Sequence, residues 1–377
     1  MKKILIVFGT RPEAIKMSPL VKEFQANLNK FDLRVCITSQ HREMLDQVLE
    51  LFKITPDYDL DIMKSNQDLY DLSSNILIKM KSVLNDFEPD YVIVHGDTTT
   101  SFIATLSAFY QKIKVFHIEA GLRTQNLFSP WPEEGNRKLT TALAEHHFAP
   151  TIISKNNLIS ENVINENISV TGNTVIDALN IVLKKIKNDK LFEKNLINSI
   201  KNLGFQYIDS KFILVTGHRR ENFGQGFLNI CEALIKIAKS NNNIKILYPV
   251  HLNPNVRGPV NKILTGVKNI VLIDPVKYEE FVYLMSKCYF ILTDSGGIQE
   301  EAPYLGKPLL LMRTSTERPE VVTSGNVKLV GSNKEDIIKG VQVLIDDQGE
   351  YNMMCKPSFH YGDGNSSKRI LKKIEDL

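Results

Sequence analysis

The sequence predicts an α/β protein with two doubly wound domains, each built on a parallel β-sheet. Three observations indicate this fold. Short, almost continuously apolar runs alternate with segments of helical periodicity, as is typical of βαβ units whose strands are covered by helices on both faces. The alternation starts again near the middle of the chain. The length of 377 residues is sufficient for two domains of ordinary size.

Apolar runs in the first half predict the strands of the first sheet. In chain order these runs are KILIVFGT, LRVCITSQ, DYVIVHGD, KVFHIEAG, HHFAPT and NISVTGN. Segments such as PEAIKMSPLVKEF and REMLDQVLELF lie between them and have the periodicity of helices. We place this first domain at residues 1–170. A polar helical region rich in Lys and Asn follows, from about Leu179 to Asn202.

A second series of apolar runs predicts the second sheet. Its strands are KFILVTGHRR, NIKILYPVHLNP, NIVLIDPV, CYFILTDSGG, PLLLMRT and VKLVG. Helical segments such as FLNICEALIKIAKS separate them. We place this second domain at residues 171–359. The last predicted helix, SSKRILKKIEDL, has a length and pattern that would allow it to pack on either domain.

Composition and charge restrict the class of protein. The formal net charge of +3, without clusters of basic residues interleaved with aromatics, argues against a nucleic-acid-binding surface. The four cysteines are far apart and form no CxxC pair, which predicts neither disulfides nor a zinc site. The apolar run at the N-terminus has about six residues, which is typical of a buried strand rather than a signal peptide. No apolar run approaches the ~20 residues of a membrane span, so we expect a cytoplasmic protein.

Candidate functional residues follow the predicted strands, at the carboxyl ends where ligands bind in open parallel sheets. These strand ends carry titratable groups or glycines at Gly9–Arg11, His95–Asp97, His117–Gly121, Thr216–Arg220, His251 and Asp294–Gly297. Because such ends occur in both halves of the chain, the sequence predicts one ligand cleft shared by the two domains.

The segment TDSGGIQEE predicts a diphosphate site. Its two glycines, Gly296 and Gly297, lie between a strand and a helix, where bare backbone can approach a ligand and free N–H groups point at it. Glu301 lies one turn further on and could accept hydrogen bonds from ribose hydroxyls. A tight turn followed by a helix-stabilising acid is the alternative interpretation. Arg11 and Lys16, around the predicted start of the first helix, could contact phosphate or could be solvated surface charges.

Three carboxylates in the first half are candidates for acid–base chemistry. Glu119 ends an apolar strand, and because unpaired burial of a carboxylate is costly, a functional role is favoured there. Asp97 could serve a site or could cap the helix that follows it. Glu133 and Glu134 precede a helix and could be site acids or first-turn acids. In the second half, His218 precedes two arginines and is a candidate donor to phosphate or sugar. We expect His146 and His147, by contrast, to be structural.

Common nucleotide and metalloenzyme motifs are missing from the sequence. No GxGxxG follows any predicted strand, and the sequence contains no Walker A loop, HExxH or GxSxG. We therefore expect neither a nicotinamide cofactor nor a catalytic metal.

Motifs along almost the whole chain resemble those of the bacterial non-hydrolysing UDP-N-acetylglucosamine 2-epimerases. In chain order they are GTRPEAIKMSPL, TSQHREML, HGDTTTSF, HIEAGLRT, PEEGNRK, TGHRRENFG, YPVHLNPNVR, TDSGGIQEEAPYLGKPLLLMR and TERPE. The resemblance implies a glycosyltransferase-B-like fold of two Rossmann-like domains, usually in a homodimer, with the final helix (about 360–377) returning to the first domain. It also implies that the product, UDP-N-acetylmannosamine, supplies synthesis of envelope or capsular polysaccharide.

The resemblance carries roles onto matching positions. Asp97, Glu119, Glu133 and His218 match residues implicated in catalysis. The matches to nucleotide-sugar contacts are Arg11, Lys16, Phe281, Ser295, Gly296, Gly297, Glu301 and Arg318.

The chain departs from the family pattern at two positions. Val276 stands where some members have Gln. Candidate allosteric positions are Gln40, His41 and Gln67, but Asn66 stands where some members have an activator-binding Arg.

The chemistry implied by the resemblance explains the residue types. The C2 proton of an N-acetyl sugar is not adjacent to a ring carbonyl, so its direct removal is very unfavourable. Expelling UDP from C1 while a base removes that proton gives a glycal, and re-addition on the other face inverts C2. Such a route needs a stabilised diphosphate and acid–base groups around the sugar. The sequence leaves open which carboxylate serves which face. Alternatives are a hydrolysing epimerase, a glycosyltransferase of the same fold, or a non-catalytic UDP-sugar sensor.

Overall fold

The computed structural model describes residues 1–39, 42–63, 67–206 and 211–377. Contacts divide the chain into two compact units. The first unit contains Met1–Ala178 together with Tyr361–Leu377, and the second contains Leu179–His360. Each unit has its own parallel sheet, so the predicted fold class of two doubly wound α/β domains is confirmed.

The sheet of the first unit has seven strands, and every pairing between them is parallel. The strands are β1 (Lys2–Phe8), β2 (Phe31–Ile37), β3 (Tyr58–Asp59), β4 (Tyr91–His95), β5 (Lys114–Ile118), β6 (His146–Ala149) and β7 (Ile168–Val170). Their order is β3-β2-β1-β4-β5-β6-β7. The order reverses between β1 and β4, which is the switch point where ligands bind in sheets of this kind.

Helices cover both faces of this sheet, as the apolar strands require. They are α1 (Arg11–Gln25), α2 (Arg42–Phe52), α3 (Leu69–Phe87), α4 (Thr99–Tyr110), α5 (Glu133–Leu143) and α6 (Ile152–Ser160). Residues Ile4 to Phe8 of β1 are fully buried, because helices shield the strand from both sides.

The sheet of the second unit repeats the arrangement with six parallel strands. They are β8 (Phe212–Thr216), β9 (Lys245–Pro249), β10 (Ile270–Ile273), β11 (Phe290–Thr293), β12 (Leu309–Leu311) and β13 (Val327–Leu329). Their order is β10-β9-β8-β11-β12-β13, so β8 and β11 form the switch point.

The helices that follow β7 belong mainly to the second unit. They are α7 (Thr174–Asn188), α8 (Lys190–Asn202), α9 (Gln225–Ser240), α10 (Pro254–Leu264), α11 (Tyr278–Lys287), α12 (Ile298–Tyr304), α13 (Pro319–Thr323), α14 (Lys334–Asp346) and α15 (Gln348–Met354). The boundary between the units falls inside α7. No helix in the described ranges is long and apolar enough to cross a membrane.

The C-terminal helix, α16 (Ser366–Asp376), packs on the first unit against α1. The Lys2 ammonium donates to the carbonyl oxygens of Ile374 and Glu375, at 2.9 and 3.2 Å. At the other end of the helix, the Asp177 carboxylate accepts the backbone N–H groups of Ser366 and Ser367. The last helix, which the pattern alone left unassigned, thus lies on the first domain's core.

Candidate functional site

Glu119 is the central carboxylate at the carboxyl ends of β4 and β5. It follows β5 with a backbone φ of 61°, a left-handed conformation that costs energy in a residue with a side chain. Its buried carboxylate is ion-paired with the Lys16 ammonium and accepts a hydrogen bond from the Asn173 amide. Lys16, which we predicted as a phosphate contact, is therefore the ion-pair partner of Glu119 within the first unit.

Two glycines allow the backbone to present Glu119 in this way. Gly96 has a φ of 66°, and a Cβ built on it would lie 3.4 Å from Glu119 Oε1. Gly121 has a φ of 90°, and a Cβ there would lie 2.2 Å from the carbonyl oxygen of Ser154. Both positions require glycine for conformation, and Gly121 also for space.

Histidines beside Glu119 are neutral. Burial lowers the pKa of His95 to about 4, although the Glu119 carboxylate opposes this shift, and it lowers the pKa of His117 to about 3. His95 Nε2 lies 3.8 Å from Glu119 Oε2. His117 Nε2 lies 2.7 Å from the carbonyl oxygen of Gly96, which requires the proton on that nitrogen. Lys16 therefore gives Glu119 a cationic partner, whereas the two histidines beside it carry no charge near pH 7.

Asp97 is held by an arginine, and it does not cap the following helix. The Arg137 guanidinium contacts the Asp97 carboxylate and also lies 3.0 Å from Glu134 Oε2. The N-cap of α4 is Thr98, whose hydroxyl accepts the N–H of Ser101 at 3.1 Å. The capping interpretation of Asp97 is thus wrong, because the helix begins one residue later than that role requires.

The adjacent glutamates Glu133 and Glu134 have different environments. Glu134 is fully buried, and it accepts the N–H groups of Thr124 and Gln125 as well as the Arg137 contact. Glu133, the first residue of α5, is half-buried. Its carboxylate makes no hydrogen bond or ion pair within the described part of the chain. The carboxylate of Glu134 is therefore taken up by contacts within the protein, whereas that of Glu133 is available for a ligand.

Glu13 is a positioning carboxylate that the sequence analysis missed. Its Oε2 accepts the N–H groups of Gly9 and Thr10, and its Oε1 accepts the hydroxyls of Thr98 and Ser101. Burial raises the pKa of Glu13 in spite of these hydrogen bonds. It joins the loop after β1 to the start of α4, and thus the loops that carry Arg11 and Asp97. The available signal was the capping-box pattern from Thr10 to Glu13.

In the second unit, a buried aspartate organises the loop after β8. Asp294 is fully buried, and its carboxylate accepts the N–H groups of His218 and Arg219 at 3.0 Å and an Asn222 amide at 3.1 Å. The side chain of His218 is 38% exposed, with Nδ1 3.6 Å from the carboxylate, and its ring stacks on His251. Desolvation lowers the pKa of His218, while Asp294 opposes the shift. His218 is thus a half-exposed group in a fixed loop.

The glycine loop between β11 and α12 is bordered by guanidinium groups. A Cβ on Gly296 would lie 3.1 Å from Arg219 Nη2 and 3.2 Å from Arg318 Nη1. Arg219 Nε is buried and has no hydrogen-bond partner among the described residues. Arg318 is ion-paired with Glu300 and Glu317. Because no side chain caps α12 at Gly297, this arrangement offers cations and backbone donors to an anion.

The remaining predicted contact residues are on or near helices α11, α12 and α3, except for those that lie outside the described residues. Glu301 is buried and accepts the Tyr278 hydroxyl at 2.8 Å. Phe281, on α11, is half-buried. Ser295 donates its N–H to the Thr293 hydroxyl at 3.0 Å. Gln67 is half-buried just before α3, whereas Gln40, His41 and Asn66 lie outside the described residues.

The structure thus forms one cluster of predicted residues in each unit. Within the first unit, Asp97 and Glu119 follow the neighbouring strands β4 and β5, and Lys16 reaches Glu119 from α1. Within the second, His218 and the glycine loop are linked through Asp294 and Arg219. Among the residues that the structure describes, no group of three or more His, Cys, Asp or Glu side chains could hold a metal ion.

Comparison with known proteins identifies relatives over the whole length of the chain. A family model described as UDP-N-acetylglucosamine 2-epimerase matches residues 22–375. A UDP-N-acetylglucosamine 2-epimerase of Campylobacter jejuni is 61% identical over 370 residues, which cover 98% of this chain and 96% of the relative.

Solved structures agree with this match. The UDP-GlcNAc 2-epimerase from Neisseria meningitidis bound to UDP-GlcNAc has a TM-score of 0.96 and 53% identity, with each chain covered completely. The UDP-GlcNAc 2-epimerase from Methanocaldococcus jannaschii, in complex with UDP-GlcNAc and UDP, has a TM-score of 0.88 and 33% identity, again with complete coverage of both chains.

Proposed function

The chain belongs to the UDP-N-acetylglucosamine 2-epimerase family, and we propose that it interconverts UDP-N-acetylglucosamine and UDP-N-acetylmannosamine by eliminating and re-adding UDP. The enzyme is an isomerase.

The proposed route conserves atoms and electrons. A base removes the proton from C2, and the electron pair of that C–H bond forms the C1–C2 double bond. The bond from C1 to the β-phosphate oxygen breaks, and UDP leaves with its electron pair. In the return step the phosphate oxygen attacks C1, while C2 takes a proton on the opposite face. No net oxidation occurs, so the route needs no redox cofactor.

The observation that carries the proposal is the buried Glu119 carboxylate with its partners. Lys16 and Asn173 hold it in one place, and the neutral His95 beside it can neither neutralise it nor donate as a cation. A fixed carboxylate is suited to proton transfer at a carbon acid, because little reorganisation is needed in the transition state. We assign Glu119, Asp97 and Glu133 to the proton transfers. Glu133 is half-buried and has no ion-pair or hydrogen-bond partner within the described ranges, so it is suited to contact a sugar directly.

The second unit is proposed to bind the leaving group. Arg219 and Arg318 border Gly296, and the uncapped start of α12 adds backbone N–H donors. Such donors stabilise the negative charge that develops on a departing diphosphate. We assign His218 to assist that departure, Ser295 to Gly297 and Arg318 to the diphosphate, and Glu301 and Phe281 to the nucleoside. Arg11, on the first unit, is assigned to phosphate as well.

Proton NMR of the purified protein with UDP-N-acetylglucosamine in deuterated water tests this proposal. We expect the C2 epimer of the nucleotide sugar to appear, with deuterium at C2 in both sugars. Free N-acetylmannosamine with UDP would instead identify a hydrolysing epimerase. Binding without any reaction would identify a UDP-sugar sensor, and complete retention of the original hydrogen at C2 would rule out elimination.

Substitution of Glu119 tests its assigned role. Glu119→Gln should lower kcat by about 10²- to 10⁴-fold, the usual contribution of an acid–base group. Glu145→Gln is a matched control, because Glu145 is an exposed glutamate paired with Lys114 just before β6. Wild-type turnover in the Glu119 variant would remove this residue from the mechanism.

Assembly and cellular role complete the proposal. Following the bacterial family that the sequence resembles, we propose a cytoplasmic homodimer that supplies envelope or capsular polysaccharide synthesis. Sedimentation velocity should give a mass near twice 42.8 kDa. A monomer that is fully active would contradict the dimer, and unchanged surface polysaccharide in a deletion strain would contradict the cellular role.

A further inference from the structure

Asn173 connects Glu119 to the C-terminal segment of the chain. This residue lies between β7 and α7 and is 2% exposed. Its side-chain amide donates to Glu119 Oε2, and its backbone N–H donates to the carbonyl oxygen of Tyr361 at 2.7 Å. One residue thus contacts the proposed acid–base group and a segment almost 190 positions later in the chain.

The orientation of the Asn173 amide is determined by its other contact. The carbonyl oxygen Oδ1 accepts the backbone N–H of Val175 at 3.2 Å, in the first turn of α7. Because a backbone N–H can only donate, the oxygen must face Val175 and the NH₂ group must face Glu119. The amide is therefore a permanent donor to Glu119, as Lys16 is from α1.

The C-terminal segment packs closely enough to keep Asn173 in place. Gly172, the preceding residue, has a φ of 86°, and a Cβ on it would lie 2.6 Å from Ser366 Oγ and 3.0 Å from Gly362 Cα. The Asp177 carboxylate accepts the N–H groups of Ser366 and Ser367, at 3.1 and 2.8 Å. The start of α16 is thus attached to the same turn that carries Asn173.

We infer that Asn173 is a positioning residue for Glu119, and that the segment Tyr361–Ser367 holds Asn173 in the orientation this requires. The C-terminal helix then contributes to catalysis as well as to packing on the first unit. The inference rests on the proposed function in one respect, which is that Glu119 acts in proton transfer.

The titratable groups facing Glu119 come from several elements. Lys16 lies on α1, His95 ends β4 and His117 lies on β5, while Asp97, which follows β4, acts on His95. The two histidines are neutral near pH 7, while Lys16 and Asn173 each place a donor against the Glu119 carboxylate, and a hydrogen bond of this kind is stronger to an ionised acceptor. Removing the donor should therefore change the pH at which Glu119 ionises.

Asn173→Asp is the most informative variant. The new side chain has the same shape and still accepts the N–H of Val175, but it places an oxygen where a donor faced Glu119. Two touching carboxylates retain a proton to higher pH. We expect the limb of the kcat–pH profile that reports Glu119 to move up by about one pH unit or more. At pH 7 kcat should fall by about 10- to 100-fold, the loss expected for a hydrogen bond to a charged group.

Asn173→Ser and Asn333→Asp complete the comparison. Serine can still cap α7, but its shorter side chain cannot reach the Glu119 carboxylate to donate a hydrogen bond. We therefore expect kcat to fall about tenfold, with a smaller shift of the pH profile than in Asn173→Asp. Asn333 caps α14 through Oδ1 and the N–H of Glu335, at 2.9 Å, and it is exposed. The same Asn-to-Asp change there should leave the pH profile, kcat and UDP affinity as they are. In both Asn173 variants the dissociation constant of UDP should stay within about twofold.

The outcomes separate this inference from the proposed function. Absence of epimerisation by the wild-type protein would contradict the proposed function itself. A wild-type pH profile and kcat in a folded Asn173→Asp protein, checked by circular dichroism, would overturn the positioning role. Should that variant not fold, wild-type kcat in Asn173→Ser would overturn it equally. Wild-type kcat in Asp177→Asn, which loosens the segment without touching Glu119, would overturn the part that concerns the C-terminus.

Discussion

The first unit should lose stability steeply in mild acid, because its sheet buries four neutral histidines. His95, His117, His146 and His147 lie on three adjacent strands and are at most 3% exposed. Burial lowers the pKa of His95 and His146 to about 4, and that of His117 and His147 to about 3. An unfolded chain takes up these protons with a pKa of about 6.5.

The lowered pKa values of the histidines determine the direction in which the unfolding free energy changes with pH. Above pH 6.5 neither state binds the protons, so the full stability is present. As the pH falls from 6.5 towards 4, only the unfolded state is protonated, and each histidine removes up to about 1.4 kcal/mol of unfolding free energy per pH unit. Glu13 and Asp177 act in the opposite direction, since burial raises the pKa of both carboxyls. Their contribution cancels when variants that leave them unchanged are compared with the wild type.

His147→Gln isolates one of these contributions. Between pH 6 and pH 5, loss of this histidine should reduce the acid-induced fall in unfolding free energy by about 1.2 kcal/mol. Urea titrations followed by fluorescence give the measurement, because the single tryptophan, Trp131, lies in the first unit and reports its unfolding separately. His360→Gln, at an exposed position, is the control and should behave as the wild type. Equal pH dependence in the His147 variant and the wild type would refute the reasoning.

Three further experiments use substitutions whose effects the structure specifies. Gly9→Ala should lower the Tm by several degrees, because a Cβ would lie 1.9 Å from a threonine hydroxyl, whereas Gly258→Ala, inside α10 with no atom within 4 Å, should raise it slightly. In a double-mutant cycle of Lys16→Met and Glu119→Gln, native-state hydrogen exchange of β5 should give a coupling energy of about 1–3 kcal/mol, and a value near zero would contradict the buried ion pair. Asp294→Asn should weaken UDP binding by about tenfold in calorimetry, because its amide would face backbone donors; unchanged affinity would show that the loop needs no carboxylate.

The strands and the residues at their ends could be predicted, because both depend on local sequence. Strands of a parallel sheet are buried on both faces, so each appears as an apolar run, and β1, β4 and β11 lie where those runs predicted them. The same geometry places the polar residues after each run at one edge of its sheet. The positions of Glu119 and of the Gly296 loop, at strand ends, follow from this rule alone.

Local pattern could not decide which polar groups are paired. Asp97 and Thr98 are both good capping residues, and only the observed start of α4 distinguishes them. Glu133 and Glu134 are adjacent and chemically alike, yet one is buried against Arg137 and the other is available. These outcomes depend on which face of a helix the rest of the fold covers.

The amino-acid sequence alone therefore determined the α/β class, the order of strands and helices, and the strand ends that carry the candidate residues. The tertiary structure decided that Lys16 and Asn173, 103 and 54 positions away, meet at Glu119, and that the C-terminal helix packs against α1. The physical reason is the distance along the chain over which each interaction acts. Hydrophobic periodicity is set by neighbours in the chain, whereas a buried carboxylate finds its partners only after sheet order and helix packing bring distant segments together.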